Sequence, residues 1–212
     1  MTASGAEEST LLQRDAQSLG VTLDATQCAA MLRLLDELAA WSQRYNLTAI
    51  TTREGMLTRH LLDSLSVLPF LHGTRIADVG TGAGFPGLPL AIADAARQFT
   101  LVDATAKKLR FVDHAVGVLK LGNVHTLHSR VEVLPARPPF DSIVARALAP
   151  LPALLTLLKP LCAPQTRVIA MLGRRPATEL LAALPAGWRI DRLDAVTVPG
   201  LDAERHVAVL SR

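Results

Sequence analysis

The feature that most constrains this chain is the run Asp78-Val-Gly-Thr-Gly-Ala-Gly-Phe-Pro-Gly87. Glycines at 80, 82, 84 and 87 directly follow the apolar stretch Ile76-Ala-Asp-Val79. Such spacing reads as a sharp strand-to-helix turn, where the backbone takes positive φ and a ligand can approach it closely. Pro86 suits the first turn of the helix that follows. A turn of this kind belongs to a doubly wound α/β sheet, in which ligands bind beyond the carboxyl ends of the strands near the switch point.

The rest of the chain agrees. Strand patterns at 75–79, 98–102, 123–127, 141–145, 166–172, 188–193 and 206–210 alternate with helical patterns at 86–96, 105–119, 151–161 and 177–184. Alternation predicts a mostly parallel sheet covered by helices on both faces. Ahead of it the pattern is helical. Met31, Leu34, Leu35, Leu38, Trp41 and Tyr45 form one apolar stripe, and a second helical stretch covers 53–70. The expected organisation is an N-terminal helical extension over 1–72 and a single α/β domain over 73–212, together one compact unit. Trp41 and Tyr45 are assigned to the core, and Asn46 either caps the helix or faces the ligand.

Two ligand classes use a glycine turn of this type. A dinucleotide needs G-x-G-x-x-G at the helix N-terminus that holds its pyrophosphate, and the third glycine would fall on Phe85. S-adenosylmethionine has no phosphate; its amino-acid moiety packs against a G-x-G-x-G turn preceded by an acid. Asp78, Gly80, Gly82 and Gly84 keep the second register, which favours the methyl donor. Asp103, at the end of the next strand, can accept both ribose hydroxyls. An acid there also suits a nicotinamide dinucleotide, and a helix N-cap before Ala104-Thr105-Ala106 is compatible with either. Ser129-Arg130-Val131-Glu132 follows the third strand, as an adenine-side loop or a plain solvated turn.

Other residues exclude chemistries. Amine methylation commonly uses an Asn/Asp-Pro-Pro-aromatic tetrad after the fourth strand, where this chain has Ala145-Arg146-Ala147-Leu148. Pyrimidine C5 methylation needs a cysteine nucleophile, and Cys162 has no evident base beside it. What remains is an acceptor that already presents a lone pair, such as guanine N7, which needs orientation more than an acid–base pair. Cys28 and Cys162 are the only cysteines, giving neither a disulfide framework nor a metal cluster. The N-terminus lacks a leader pattern, and the most apolar run, 147–158, is too short for a membrane span. A soluble cytoplasmic protein without a metal is expected. The net charge is +3, and only four of the 22 cations are lysines. That bias fits a genome rich in G and C, or guanidinium groups that stack on bases and fork onto phosphates.

The chain resembles the glucose-inhibited division protein B family of bacterial 16S ribosomal RNA guanine-N7 methyltransferases. The matching stretches are Trp41-Ser-Gln-Arg-Tyr-Asn-Leu-Thr-Ala-Ile50, His60-Leu-Leu-Asp-Ser-Leu65, the run from Asp78 to Ile92, Leu101-Val-Asp-Ala-Thr105, Ser129-Arg-Val-Glu132, Ala145-Arg-Ala147 and Arg205-His206. The resemblance implies a Rossmann-like class I fold, with a seven-stranded, mostly parallel sheet and an N-terminal helical cap. It implies S-adenosyl-L-methionine as cofactor, leaving as S-adenosyl-L-homocysteine, and one guanine N7 in 16S RNA as acceptor, in free RNA, the 30S subunit or an assembly intermediate. Gly80, Gly82, Gly84 and Phe85 would face the donor's methionine and ribose. Asp103, Ala104 and Thr105 would hold the ribose side, and Val131 and Glu132 the adenine. Arg146 would stand near the reacting methyl, with no general base. Asn46, His60, Arg130, Arg174 and Arg205 are candidates for RNA contact; for His60 a local pair with Asp63 is the alternative, and for Arg205 a surface salt bridge. Where many members have Met-Lys-Gly after the fifth strand, this chain has Met171-Leu172-Gly173, followed by Arg174 and Arg175. A monomer without membrane contact is expected. A methyltransferase for protein or small molecules, a nicotinamide-dependent oxidoreductase and a non-catalytic RNA-binding module are the competing readings.

Overall fold

A computed structural model describes residues 3–134 and 139–212, so the first two residues of the N-terminal extension lie outside it. Helices α1 (Ala3–Ser18) and α2 (Ala25–Tyr45) open the chain. Asp24 and Gln27 form a reciprocal capping box at the start of α2, a cap worth about 1 kcal/mol. The α2 stripe buries Cys28, Met31, Leu32, Leu34, Leu35 and Leu38. The sequence stripe extends to Tyr45, but burial does not. Trp41 is partly buried and Tyr45 is 40% exposed, because the facing helix Ala106–Leu119 covers only part of that face. Asn46 closes the helix in the left-handed region, φ 49 and ψ 51, with its N–H on the Ser42 carbonyl.

The stretch expected to be one helix over 53–70 is four segments, the first three continuous. An α-helical turn α3 (Arg53–Met56) runs into a π-helical turn Leu57–Leu62, then α4 (Asp63–Leu65), with a separate 3-10 turn at Leu68–Phe70. In the wide turn the Asp63 N–H reaches the Thr58 carbonyl, a geometry found mostly at functional sites. Arg53 anchors the segment, its guanidinium 2.8 Å from Glu8 of α1 and 2.9 Å from Asp36 of α2.

The sheet contains β1 (Arg75–Val79), β2 (Gln98–Asp103), β3 (Val124–His128), β4 (Ser142–Arg146), β5 (Arg167–Leu172), β6 (Arg189–Ala195) and β7 (His206–Ser211), in the order β3-β2-β1-β4-β5-β7-β6. All neighbours are parallel except β7, which runs antiparallel to β5 and β6. Order reverses between β1 and β4, and the crevice at that switch point is where a ligand is expected. Helices α5 (Gly87–Ala93) and α6 (Ala106–Leu119) share one apolar cluster with the N-terminal helices, and α7 (Leu151–Leu158) lies in a second cluster with other sheet residues. The short α8 (Thr178–Ala182) follows β5. β7, paired on both sides, is buried throughout, whereas edge strand β6 carries Arg189, Asp191, Arg192 and Asp194, charges that discourage further strand pairing.

Candidate active site

The glycine turn is fastened from three sides. The N–H groups of Gly80 and Thr81 both donate to the Val102 carbonyl at the end of β2, at 2.9 and 3.0 Å. Beneath it, one oxygen of the Asp78 carboxyl accepts from the Thr81 hydroxyl (2.6 Å) and the Gly87 N–H (2.8 Å), while the other is buried without a partner. Burial pushes that carboxyl up to about 6. From the third side, Asp103 accepts the Gly82 N–H at 2.8 Å on one oxygen and the Thr105 N–H at 2.7 Å on the other. Asp103 is not the N-cap of the helix that follows, which is Thr105; its carboxylate instead closes an i+2 turn ahead of that helix and ties two ligand-side loops together.

Gly80 has φ 75, and a Cβ there would lie 2.8 Å from Leu148 Cδ1. At Gly84, φ 88, a Cβ would lie 2.4 and 2.7 Å from Leu88 Cδ1 and Cγ. Leu88 is fully buried, so the Gly84 clash cannot be relieved cheaply, whereas Leu148 is 37% exposed and Gly80 is held chiefly by its positive φ. Gly84→Ala is expected to lower stability by about 2–3 kcal/mol, read as an earlier midpoint in urea. An unchanged midpoint would mean that the turn can relax.

A cavity of about 250 Å³ opens above this turn, lined by Gly80, Val102, Asp103, Ala104, Ser129, Arg130, Val131, Glu132, Leu148 and Leu157. It brings together five residues expected on the donor side: Gly80, Asp103, Ala104, Val131 and Glu132. Gly82 and Thr105 stand one hydrogen bond behind it, through Asp103. Gly84 and Phe85 do not reach it. Gly84 faces Leu88, and Phe85 is 3% exposed and stacked on the His60 ring, centroids 4.6 Å apart. Arg130, expected to face RNA, lines this first cavity instead.

A second cavity, of about 340 Å³, lies between the π-helical turn and the ends of β4 and β5. Its walls are Ile50, Arg59, His60, Asp63, Arg146, Ala147, Met171, Leu172, Gly173 and Arg205. Asp63, 3% exposed, is its hub: one oxygen accepts Arg205 Nε at 2.7 Å, the other Arg146 Nη1 at 3.4 Å. Arg146 also donates to the Arg59 carbonyl at 3.2 Å. The alternative reading of His60, a local pair with Asp63, is not made; His60 Nε2 meets Thr48 Oγ1 at 2.9 Å. Arg205 takes its salt-bridge reading, but inside a cavity wall. Ala147 turns the chain with φ 51, a left-handed conformation rare outside glycine. Arg146 and Ala147 line the second cavity and Leu148 the first. Asn46 and Arg174 are exposed and line neither. Sequence reading missed Leu148, Arg59 and the hub role of Asp63; the motif His60-Leu-Leu-Asp63 was the available signal for the last.

Burial and the Arg146 charge push His60 down to about 4, so its ring is neutral at pH 7 and cannot act as an acid there. Because the folded value lies below the unfolded one of about 6.5, stability is lost as pH falls from 6.5 toward 4. At pH 5 that loss is on the order of 2 kcal/mol. Asp78, raised by burial, acts oppositely, its destabilisation being relieved as pH falls through about 6. The His60 contribution is therefore read as a difference: His60→Gln should lose less stability than the unmodified protein between pH 7 and pH 5. Parallel pH profiles in urea unfolding would contradict this. Cys162 donates its Sγ to the Leu158 carbonyl, and burial pushes its thiol up to about 11, unsuited to a nucleophile.

Comparison with known proteins shows which family this chain resembles. The family described as rRNA small subunit methyltransferase G matches residues 27–208. A ribosomal RNA small subunit methyltransferase G of Cronobacter sakazakii is 41% identical over 199 residues, covering 94% of this chain and 96% of its own. The protein of the same name from Nitrosococcus oceani is 44% identical over 200 residues, covering 94% and 93%. Among solved structures, magnesium protoporphyrin IX methyltransferase from Synechocystis PCC 6803 with bound SAM superposes with a TM-score of 0.58 at 18% identity, over 90% of this chain and 98% of that one. A SAM-dependent methyltransferase from Aquifex aeolicus gives 0.54 at 22% identity, over 74% and 93%. These two structures bear on the fold alone.

Proposed function

Because the chain belongs to the rRNA small subunit methyltransferase G family, we propose that it transfers a methyl group from S-adenosyl-L-methionine to N7 of one guanine in 16S ribosomal RNA. The observation that carries this reading is the pairing of two cavities across the Arg146–Leu148 turn, one built for a nucleoside and one lined by arginines around a buried acid. The first fits the donor. Its floor is glycine where a Cβ would strike Leu148, and the Asp103 carboxylate on its wall keeps lone pairs beyond its two backbone bonds.

When bound, S-adenosylmethionine supplies an electrophilic methyl on a sulfonium. Asp103 accepts the ribose hydroxyls, Gly80 lets the amino-acid part lie against the backbone, and Val131 and Glu132 flank the adenine. The second cavity takes the target guanine between Ile50 and Met171. N7 carries an available lone pair, so the chain needs no base; it contributes orientation and exclusion of water. Arg146 stands where donor and acceptor meet. Arg59, Arg146 and Arg205 against Asp63 leave the cavity two charges positive, which suits the phosphates of an extruded nucleotide. Leu172, in place of the family's lysine, makes one wall apolar; Arg174 and Arg175 follow it at the rim.

Among the described residues, Arg59, Lys107, Lys108, Arg130, Arg174 and Arg175 make no ion pair. Apart from Arg59 in the second cavity, each follows the carboxyl end of a parallel strand. Cations without ion pairs also occur elsewhere, at Arg110, Lys120 and Arg167, but those that follow the strand ends flank both cavities and suit a polyanion such as RNA. The extension over 1–72 and the sheet domain over 73–212 work as one unit, since the former supplies Ile50, Arg59, His60 and Asp63. The chain acts as a monomer in the cytoplasm, on the 30S subunit or an assembly intermediate. Calorimetry with S-adenosylhomocysteine and NAD, followed by methylation assays on naked 16S RNA and intact 30S subunits, tests this. Binding of the first ligand and methylation of either RNA form are expected; binding of NAD alone would overturn the reading.

A further inference from the structure

Helices α2 and α6 meet through an aromatic ladder that climbs from the core to the surface. Phe111 is fully buried; Trp41, partly buried, meets it edge-on at 5.7 Å; Tyr45, 5.4 Å from Trp41, is 40% exposed. The Lys107 ammonium sits over the Tyr45 ring at 5.3 Å. Two observations make this more than a contact between helices. First, α6 begins with Lys107 and Lys108, has no acid in its first turn and receives no side-chain cap from Thr105. Cations there oppose the helix dipole and weaken the helix. Neither lysine is ion-paired, nor is Arg44 or Arg110, whereas Glu37 on the facing helix is already held by Arg33 and His114. Second, both segments lead straight into the cavities. Lys107 lies four residues after Asp103. Tyr45 lies three before Thr48, whose hydroxyl meets His60.

We propose that Tyr45 and Lys107 bind a nucleotide flanking the target guanine, the base against the phenol ring and the ammonium on its phosphate. Single-stranded RNA is held this way, by aromatic faces beside cations. Lys107 is exposed and its stem flexible, so it can leave the ring face to the base and follow the phosphate. An exposed ring beside cations that make no ion pair suits a polyanion better than an apolar partner. The inference rests on the RNA substrate proposed above.

The test is methylation kinetics on the RNA form that the unmodified protein accepts, together with S-adenosylhomocysteine affinity and thermal melting, for Tyr45→Ala, Tyr45→Phe and Lys107→Gln. Tyr45→Ala should raise KM for RNA about tenfold or more, with kcat and S-adenosylhomocysteine affinity unchanged. Tyr45→Phe should stay close to the unmodified protein, and Lys107→Gln should raise KM and flatten its dependence on salt. An unchanged KM in Tyr45→Ala and Lys107→Gln would overturn the inference. So would a rise in KM matched by lost donor affinity and a lower melting temperature, which would mark the pair as structural. An unmodified protein that methylates no RNA would instead overturn the function proposed above.

Discussion

Asp63→Ala is expected to lower kcat for RNA methylation at least a hundredfold and stability by about 2–3 kcal/mol. The acid is 3% exposed and holds Arg146 and Arg205, each with a side chain 24% exposed, at opposite oxygens. Without it two guanidinium groups face one another across a cavity wall with no counter-charge. Removing one member of a buried pair commonly costs about 3–5 kcal/mol; the smaller figure allows for water reaching the arginines. The larger consequence is positional, because Arg146 is then held only by the Arg59 carbonyl. Asp63→Asn keeps the shape without the charge and should fall between the two. Donor affinity should be preserved in both, since Asp63 lines the second cavity and not the first. Single-turnover rates, urea midpoints and S-adenosylhomocysteine titrations separate these effects, and a kcat within tenfold of the unmodified enzyme would remove Asp63 from the working site.

Asp103→Ala is expected to weaken S-adenosylhomocysteine binding by about 1–3 kcal/mol, through the loss of charge-assisted hydrogen bonds to the ribose. The structure adds a second route to the same loss, because this carboxylate also receives the Gly82 and Thr105 N–H groups. Asp103→Asn keeps one acceptor oxygen for a backbone N–H but loses the charge. Affinity lost equally in Asn and Ala would trace to the ribose contact. Affinity largely restored in Asn would trace to the loop. Calorimetry on both variants reads the difference, and unchanged affinity in Ala would reduce Asp103 to a tie between loops.

What was legible in the sequence was the part fixed by local chemistry. Asp78 to Gly87 announced a strand, a turn and a helix because glycine and proline set backbone angles within a few residues, and the strand limits fall within two residues of those expected. The first cavity followed, since Asp103 ends β2 and Glu132 lies in the short 3-10 turn after β3, positions that the sheet order dictates. The second cavity was far less legible. Asp63 meets residues 83 and 142 positions away, and no periodicity carries that information. The π-helical turn at Leu57–Leu62 depends on packing against other elements, so a uniform helical pattern concealed it. Tyr45 misled for a related reason: the stripe on α2 continues past the point where a neighbour covers it. Phe85 belongs to the donor motif, yet it acts from below, stacked on His60.

The most direct measurement is chemical cleavage at N7-methylguanine in 16S RNA taken from a strain lacking this gene and from the same strain carrying it on a plasmid. One cleavage site should vanish on deletion, return with the unmodified gene and fail to return with Asp63→Ala. A cleavage pattern identical in all strains would contradict guanine-N7 methylation of 16S RNA by this protein.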